Sequence, residues 1–187
     1  MAQKRKDWNG LISGFKASDL VFLDESGCNT DMTRRYAYSL GGSRAIDSAP
    51  LSKPKNTTIL SSIQLDGTLR YTTFSGGTTV EKFKRYLETD LLPHLNGNSV
   101  LIMDNMKSHH AKAVKNLLDS SGVRYIYLPP YSPDLNPIEK LWSKVKSFLR
   151  KFKARTLDAL PNAIQHAFQT VSPSDCSGWF KFCDYLH

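Results

Sequence analysis

Three carboxylates stand out because of the segments that lead to them. Asp24 follows the apolar run VFL, Asp104 follows VLIM, and Glu139 stands in the predicted first turn of a helix after the proline-rich segment YSPDLNP. Short apolar runs that end in an acid are consistent with central strands buried on both faces. Functional groups gather at the carboxyl ends of such strands in open α/β sheets. We therefore expect Asp24 and Asp104 to lie side by side.

The chemistry of such a group follows from electrostatics. Carboxylates in contact repel one another, and one of them takes up a proton unless a cation lies between them. Mg²⁺ prefers hard oxygen ligands and keeps water and substrate phosphate in its other positions. A third carboxylate allows two ions about 4 Å apart, which clamp the attacking and leaving oxygens of a phosphodiester. We therefore predict that the three carboxyl groups lie within about 4–8 Å of one another.

Each carboxylate also has a simpler interpretation. An aspartate at a strand end is often only a turn residue. Asn136 can be the N-cap of the following helix, with Pro137 at N1 and Glu139 at N3, which is a capping-box arrangement. Capping and metal ligation are compatible, because the first helical turn also holds the carboxylate rigidly. The residues alone leave open whether Asp24 or its neighbour Glu25 is the ligand.

The charge of the chain indicates a polyanionic partner. The 187 residues carry a net charge of +8, which favours nucleic acid over a membrane surface. Between positions 140 and 155 there are seven basic residues and no acidic one. Lys146 and Arg150 lie near the Glu139 meridian of the predicted helix, where they can hold a phosphate backbone. A solvated basic face is the alternative interpretation.

The candidate DNA-binding residues fall in two segments that are rich in Lys and Arg. They are Lys140, Lys144, Lys146 and Arg150 on the predicted helix, and Arg34, Arg35, Arg44, Lys53 and Lys55 in the segment before the predicted hairpin.

The order of the predicted elements is strand, hairpin, helix, strand, helix, strand, helix. Asp66-Gly67 marks the hairpin turn, and Thr78 and Glu81 have the spacing of a capping box before the first of these helices. This order predicts a mixed sheet with helices packed against it. The predicted helices cover roughly residues 78–92, 108–120, 137–152 and 158–171.

The remaining segments carry weaker signals. Residues 1–18 have the composition of a basic arm or linker, and residues 27–56 that of a long loop or weak hairpin. No apolar run approaches the roughly 20 residues that span a bilayer, so we expect a cytoplasmic protein with no membrane partner. Three cysteines without a C-x-x-C pair support neither a disulfide framework nor a zinc site.

Three segments together resemble a known family. LDES, MDNMKSHHAK and LPPYSPDLNPIEKLWSKVK resemble the DDE catalytic domain of transposases in the mariner superfamily, especially its bacterial insertion-sequence branch. The 34 residues between Asp104 and Glu139 are typical of the branch that ends in Glu. The resemblance covers about residues 19–183. It implies an RNase H-like α/β fold, with a five-stranded mixed sheet flanked by helices.

The resemblance also assigns roles to residues. It implies that Asp24, Asp104 and Glu139 are the catalytic, metal-binding triad, with two Mg²⁺ or Mn²⁺ ions per site, and it selects Asp24 over Glu25. Asn105 and His109 fall where the family has Asn and His near the second acid. We expect His109 to be structural or phosphate-facing, not catalytic.

The implied function is DNA transposition. The resemblance implies that such a domain cleaves a phosphodiester of double-stranded DNA and transfers the element end to target DNA, at TA sites in the family's manner. It also implies a homodimer on DNA in the bacterial nucleoid. Residues 19–187 form the predicted catalytic domain, and the helix-turn-helix region of full-length members is absent from this sequence. The alternatives are an RNase H-like nuclease or resolvase without strand transfer, and a non-catalytic DNA-binding remnant.

Overall fold

The structure is a computed structural model that describes residues 2–34, 36–48 and 55–186. Within these ranges, five strands form one sheet, and six α-helices pack around it. The strands are β1 Leu20–Cys28, β2 Thr57–Gln64, β3 Leu69–Ser75, β4 Val100–Met103 and β5 Arg124–Tyr127. The helices are α1 Ala2–Ile12, α2 Val80–Tyr86, α3 Lys112–Ser121, α4 Ile138–Phe152, α5 Ala159–Gln169 and α6 Pro173–Phe182.

The sheet has the strand order β3-β2-β1-β4-β5. Strands β1, β2 and β3 are antiparallel neighbours, whereas β4 runs parallel to both β1 and β5. The turn between β2 and β3 is the predicted Asp66-Gly67 turn, in which the Thr68 amide donates to Asp66 Oδ1 at 2.8 Å. The predicted mixed sheet with flanking helices is confirmed.

Alternation along the central strands divides the core between the two faces of the sheet. Side chains of successive strand residues point to opposite faces. On one face, Phe22 and Ile102 pack in a core cluster with residues of α1, α4, α5 and α6. On the other face, Leu23 and Met103 pack in a second core cluster with residues of α2 and α3. Because both faces are covered, the central strands are continuous apolar runs.

Several boundaries differ from the sequence predictions. Strand β1 continues past Asp24 to Cys28 because β2 pairs with it along its whole second half. The α2 helix is capped by Thr79, whose side chain accepts from the Lys82 amide, and not by Thr78. No prediction covered α6, although Ser172 and Asp175 form a complete capping box at its start. Residues 27–56 form a loop in their described part beyond β1.

The N-terminal segment is a helix that packs on the domain. Trp8 of α1 is only 4% exposed and belongs to the same core cluster as α4. Arg5 donates to the Asp134 carboxylate through its two terminal guanidinium nitrogens, Nη1 and Nη2, although this pair is exposed. The predicted arm or linker at residues 1–18 is therefore helical from Ala2 to Ile12.

Within the described ranges 2–34, 36–48 and 55–186, no helix is long and apolar enough to cross a membrane.

Candidate active site

The two aspartates are brought together by the parallel pairing of β1 and β4. Leu23 is the register partner of Met103. Asp24 and Asp104 are the next residues on these two neighbouring segments, whose backbones lie about 5 Å apart. Strand β4 ends at Met103, while β1 continues beside β2. Asp24 therefore lies in the middle of its strand, not at the predicted carboxyl end. The opening beside it exists because its parallel neighbour stops there.

Alternation separates Asp24 from Glu25. Asp24 shares the sheet face of Phe22, against which α4 packs, and its Oδ2 accepts from Trp142 Nε1 at 3.1 Å. Glu25 shares the face of Leu23 and meets His109 there, with 3.1 Å between Oε1 and Nε2. The sequence left open whether Asp24 or Glu25 belongs to the group of three acids. The geometry favours Asp24, because of these two it is the one that faces the helix carrying Glu139.

Burial dominates the electrostatics of Asp24. Asp24 is only 8% exposed. This burial, together with the charges of Glu25 and Asp104, raises the pKa of Asp24 to about 7. Hydrogen bonds from the Glu25 amide and from Trp142 oppose that shift. A buried carboxylate beside two other acids is a site where a cation lowers the free energy of the ionised form.

Glu139 lines the same cavity from the first turn of α4. The predicted capping box is wrong: α4 has no side-chain cap, and the buried Oδ1 of Asn136 has no hydrogen-bond partner among the described residues. The turn is held by its backbone, since the Glu139 amide donates to the Asn136 carbonyl at 3.1 Å. Glu139 is exposed and so is available to the cavity.

The cavity has a volume of about 440 Å³ and two chemically different walls. Asp24, Asp104 and Glu139 supply the carboxylate side. The rest of the lining consists mainly of the segment that joins β5 to α4, residues 128–137, which we call the proline loop. Among the residues that the structure describes, no three His, Cys, Asp or Glu side chains already form a metal-binding group. The predicted 4–8 Å separation of the carboxyl groups stays a prediction.

His109 is buried between two acids behind the cavity. Its Nδ1 lies 2.8 Å from Asp104 Oδ1 and its Nε2 lies 3.1 Å from Glu25 Oε1, while its ring stacks on Phe83 at 4.2 Å. Burial acts to lower the pKa of His109, but the hydrogen bonds to Asp104 and Glu25 outweigh it and raise the pKa to about 10. The imidazole is fully buried and contacts the Asp104 carboxylate directly, while its role toward a phosphate stays a prediction.

Asp104 and Asn105 are held by short-range contacts. Burial acts to raise the pKa of Asp104, but hydrogen bonds from His109 and from the Met106 amide lower it below its usual range. The Asn105 side chain donates to the Leu128 carbonyl at 2.5 Å. This bond connects the segment after β4 with the start of the proline loop, so the two sides of the cavity are tied together.

Two contacts were missed by sequence reasoning. Trp142 lies three residues after Glu139 on α4, so both side chains project from one face of the helix. That spacing was a usable signal that Trp142 would meet the strand bearing Asp24. The pairing of His109 with Glu25 had no such signal, since the two residues are 84 positions apart.

The predicted DNA-binding residues separate into three groups. Lys144 binds Asp175 of α6 at 2.6 Å, and Lys140 lies over the Phe182 ring at 3.6 Å, so both have partners within the chain. Lys146 and Arg150 line a polar cleft beside Gly27 and the end of β1.

The other five candidates lie between β1 and β2. Arg34, Arg44 and Lys55 are exposed there, while Arg35 and Lys53 lie outside the described residues.

The five-stranded mixed sheet with helices on both faces defines an RNase H-like fold. The family model described as "DDE superfamily endonuclease" matches residues 19–161, and the chain belongs to that family. This confirms the resemblance seen in the sequence segments.

Relatives include the transposase of the transposable element Tc1 from Caenorhabditis elegans, 28% identical over 97 residues, or 50% of this chain and 36% of that protein. The insertion element IS630 uncharacterized 39 kDa protein of Shigella sonnei is 32% identical over 75 residues, or 39% of this chain and 22% of that protein. The matched segments thus span about a third or less of these relatives. The crystal structure of a pre-cleavage Mos1 transpososome shares the fold, with a TM-score of 0.83 at 18% identity, covering 99% of this chain and 60% of that chain.

Proposed function

We propose that this chain is the catalytic domain of a metal-dependent DNA transposase. The observation that carries the proposal is the convergence of Asp24, Asp104 and Glu139, from three distant segments, on one cavity. Membership of the DDE endonuclease family supports it, as does the similarity to the Tc1 transposase.

The residues of the cavity fit a divalent cation of the Mg²⁺ or Mn²⁺ type. Their donors are carboxylate oxygens, which such hard cations prefer. The burial of Asp24 next to other acids creates a need for positive charge. A Mos1 paired-end complex of the same fold was solved with Mn. We propose that Asp24, Asp104 and Glu139 hold two ions, which would supply Lewis-acid activation of the reacting oxygens.

The side chains behind the carboxylates set their geometry. Trp142 fixes the Asp24 carboxylate through Oδ2, and His109 fixes that of Asp104 through Oδ1. Asn105 holds the proline loop against the segment that carries Asp104. Because Trp142 and His109 are buried, the carboxylates of Asp24 and Asp104 are set in position before DNA binds.

The proposed chemistry has two steps. The oxygen of a water molecule attacks the phosphorus of a DNA phosphodiester, and the bond from phosphorus to the 3′ oxygen breaks. A 3′-hydroxyl and a 5′-phosphate are left. In the second step that 3′-hydroxyl attacks a phosphodiester of target DNA, forming one phosphorus–oxygen bond and breaking another. One diester replaces another, so strand transfer needs no covalent protein intermediate and no high-energy cofactor.

The path of the DNA is proposed to follow α4 away from the cavity. Lys146 and Arg150 stand seven and eleven residues after Glu139, which places them about 10 and 16 Å further along the helix axis. At about 3.4 Å per base pair, these offsets correspond to roughly three and five base pairs. The two cations line a polar cleft at the end of β1, on the same side of the sheet as Asp24.

Replacing Lys146 and Arg150 together by Ala is expected to weaken the salt dependence of DNA binding. Each phosphate contact contributes about −0.9 to the slope of log affinity against log salt concentration, so the double variant should flatten that slope by roughly one to two units. Phosphate contacts do not read sequence. Binding measured over a salt series on two unrelated duplexes should therefore change equally.

The matched control is Arg85→Ala with Arg124→Ala. It removes the same charge from exposed positions in the last turn of α2 and at the start of β5, the strand end opposite the cavity. An unchanged slope in the Lys146 and Arg150 variant would place the DNA elsewhere. A loss confined to one duplex would mean that α4 reads sequence.

Trp142→Phe is expected to lower cleavage by about tenfold, because loss of a partner of a metal ligand costs about 10–100-fold. The metal concentration for half-maximal cleavage should rise, since Asp24 Oδ2 loses its donor. Metal titrations of cleavage test this. Trp179→Phe on α6 makes the same chemical change in a residue that is not the hydrogen-bond partner of Asp24, and it should leave the titration unchanged. Equal effects of both variants would show that only packing had been disturbed.

The transposase proposal itself is tested with oligonucleotide duplexes in Mg²⁺, in Mn²⁺ and without metal. Cleavage that requires metal, followed by joining of a precut 3′ end to a second duplex, is the expected result. Cleavage without joining would favour a nuclease or resolvase, and binding without either would favour a DNA-binding remnant.

We propose further that the chain acts as a homodimer on element ends and target DNA, including TA sites, in the nucleoid of a bacterial cytoplasm. Mass measurement of the DNA complex tests the dimer.

A further inference from the structure

Tyr131 has an unusual backbone conformation for an aromatic residue. Its φ is +56°, in the left-handed region that L side chains rarely adopt. It is flanked by Pro130 and by Ser132-Pro133, which restrict the loop. Such conformations persist only where the surrounding structure determines them, and they cluster at functional sites.

The proline loop is anchored on both sides of Tyr131. Before it, the Leu128 carbonyl accepts from Asn105. After it, the Leu135 carbonyl accepts from the Tyr185 hydroxyl at 2.7 Å, and Asp134 pairs with Arg5. The loop therefore presents Tyr131 from a fixed backbone.

The side chain that this backbone presents is exposed. Tyr131 is 87% exposed and lines the cavity with the carboxylates. The other two tyrosines of this region are tied down: Tyr125 donates to Asp119 and Tyr127 to the His109 carbonyl. Within the described ranges, Tyr131 makes no side-chain hydrogen bond of this kind. A large ring held out next to a catalytic cavity is suited to a flat ligand.

The wall around Tyr131 has the character that a nucleobase requires. Besides the acids, Leu128, Pro129 and Met106 line the same cavity as Tyr131 and give it an apolar part. A nucleotide joins an anionic phosphate to a flat base, so it matches the two walls together. Aromatic side chains stack on bases with little sequence preference, because every base has a π-face.

We propose that Tyr131 is a base-stacking residue for an unpaired nucleotide next to the reacting phosphate. Inside a duplex both faces of a base are covered, so a protein ring can reach one only where the base is unpaired or turned out of the stack. Stacking on a fixed ring would hold the adjoining phosphate in register with the carboxylates. This inference rests on the proposed function, since it assumes that the cavity takes DNA.

The test combines protein variants with a change in the DNA. The probes are a duplex with a short single-stranded 3′ extension and the same duplex with an abasic extension, which keeps the phosphate charges and removes the bases. Binding is measured in Ca²⁺, another hard cation with oxygen ligands. Tyr131→Phe keeps the ring, while Tyr131→Leu keeps apolar bulk without it. Both variants should fold, because the side chain is exposed.

Removal of the bases should weaken binding about tenfold for the wild type and for Tyr131→Phe, a typical effect of base–aromatic stacking. It should change little for Tyr131→Leu, because the protein ring and the base act as a coupled pair. Equal abasic penalties in the Phe and Leu variants would overturn the proposal, as would no penalty in the wild type.

Cleavage by the wild-type protein in Mg²⁺ is measured separately. Failure to cleave, with the coupling intact, would contradict the transposase proposal while base stacking stands. Normal cleavage without the coupling would overturn base stacking alone.

Discussion

Glu139→Gln is expected to abolish metal-dependent cleavage while the protein stays folded. Loss of an outer partner of a metal ligand costs about 10–100-fold, so loss of a ligand's own charge should exceed a hundredfold. The free energy of unfolding should change by at most about 1 kcal/mol, the value of a carboxylate at a helix N-terminus. Glu139 is exposed and takes no part in a capping box. Parallel cleavage assays and denaturant titrations measure the two effects.

Glu81→Gln is the matched control for this variant. Glu81 also stands in the first turn of a helix, α2, but it does not line the cavity. Both substitutions remove one negative charge from a helix N-terminus, so any general effect of charge should be shared. Normal cleavage by Glu139→Gln would remove Glu139 from the metal site and leave two aspartates as candidates.

His109→Ala is expected to reduce both stability and cleavage. Removing one partner of a buried ionic group costs about 3–5 kcal/mol, because it leaves charges buried without compensation. The lower end applies here, since the Asp104 side chain is 39% exposed and can be hydrated. The loss at Glu25 is larger, because its Oε2 is buried and has no hydrogen-bond partner among the described residues, and the variant also removes the partner of Oε1. Denaturant titration should show the loss.

Cleavage by His109→Ala should fall about 10–100-fold, as is usual when a ligand loses its orienting partner. Cleavage assays at a temperature where the variant is folded separate this from unfolding. His110→Ala is the control, since that ring stacks on Tyr127 at 4.1 Å and makes no hydrogen bond to an acid among the described residues, and such a stacked pair contributes about 1 kcal/mol. A stable His109→Ala variant that cleaves normally would show that the buried imidazole neither stabilises the acids nor orients Asp104.

The pairing of α1 with the proline loop extends the support of the site to the N-terminus. Trp8 lies in the core cluster that contains residues of α4, and Arg5 binds Asp134 in the loop. The position of Glu139 in the cavity depends on that loop and on the first turn of α4, which follows it. The helix that composition presented as a linker is therefore part of the support of the cavity.

Much of the fold could be predicted from local patterns. The apolar runs before Asp24 and Asp104 identified the central strands, and the Asp66-Gly67 pair identified the hairpin. These signals are local because burial on both sheet faces and the geometry of a tight turn constrain short segments directly. The family resemblance was carried by such segments too, and the match to residues 19–161 confirms it.

Other features could not be predicted from local patterns, because they depend on contacts between distant residues. The composition of the N-terminal segment predicted a linker, because the residues of α1 show no strong helical periodicity. Burial of Trp8 is what packs this helix on the domain. The Asn136 capping box does not form although its spacing was right: in the described part of the chain its side-chain oxygen is buried and has no hydrogen-bond partner. Spacing states what is locally possible, and packing decides whether it forms.

The sequence by itself determined which acids are candidates and which strands carry them. Tertiary structure separated Asp24 from Glu25, because adjacent strand residues face opposite sides and α4 packs on only one of them. It also supplied the partners of the acids: Trp142, 118 residues from Asp24, and His109, 84 residues from Glu25. Helical spacing indicated that Trp142 shares a face of α4 with Glu139, but no local pattern indicated the contact of His109 with Glu25. Both contacts exist only once parallel pairing of β1 and β4 and the packing of helices on both faces have been formed.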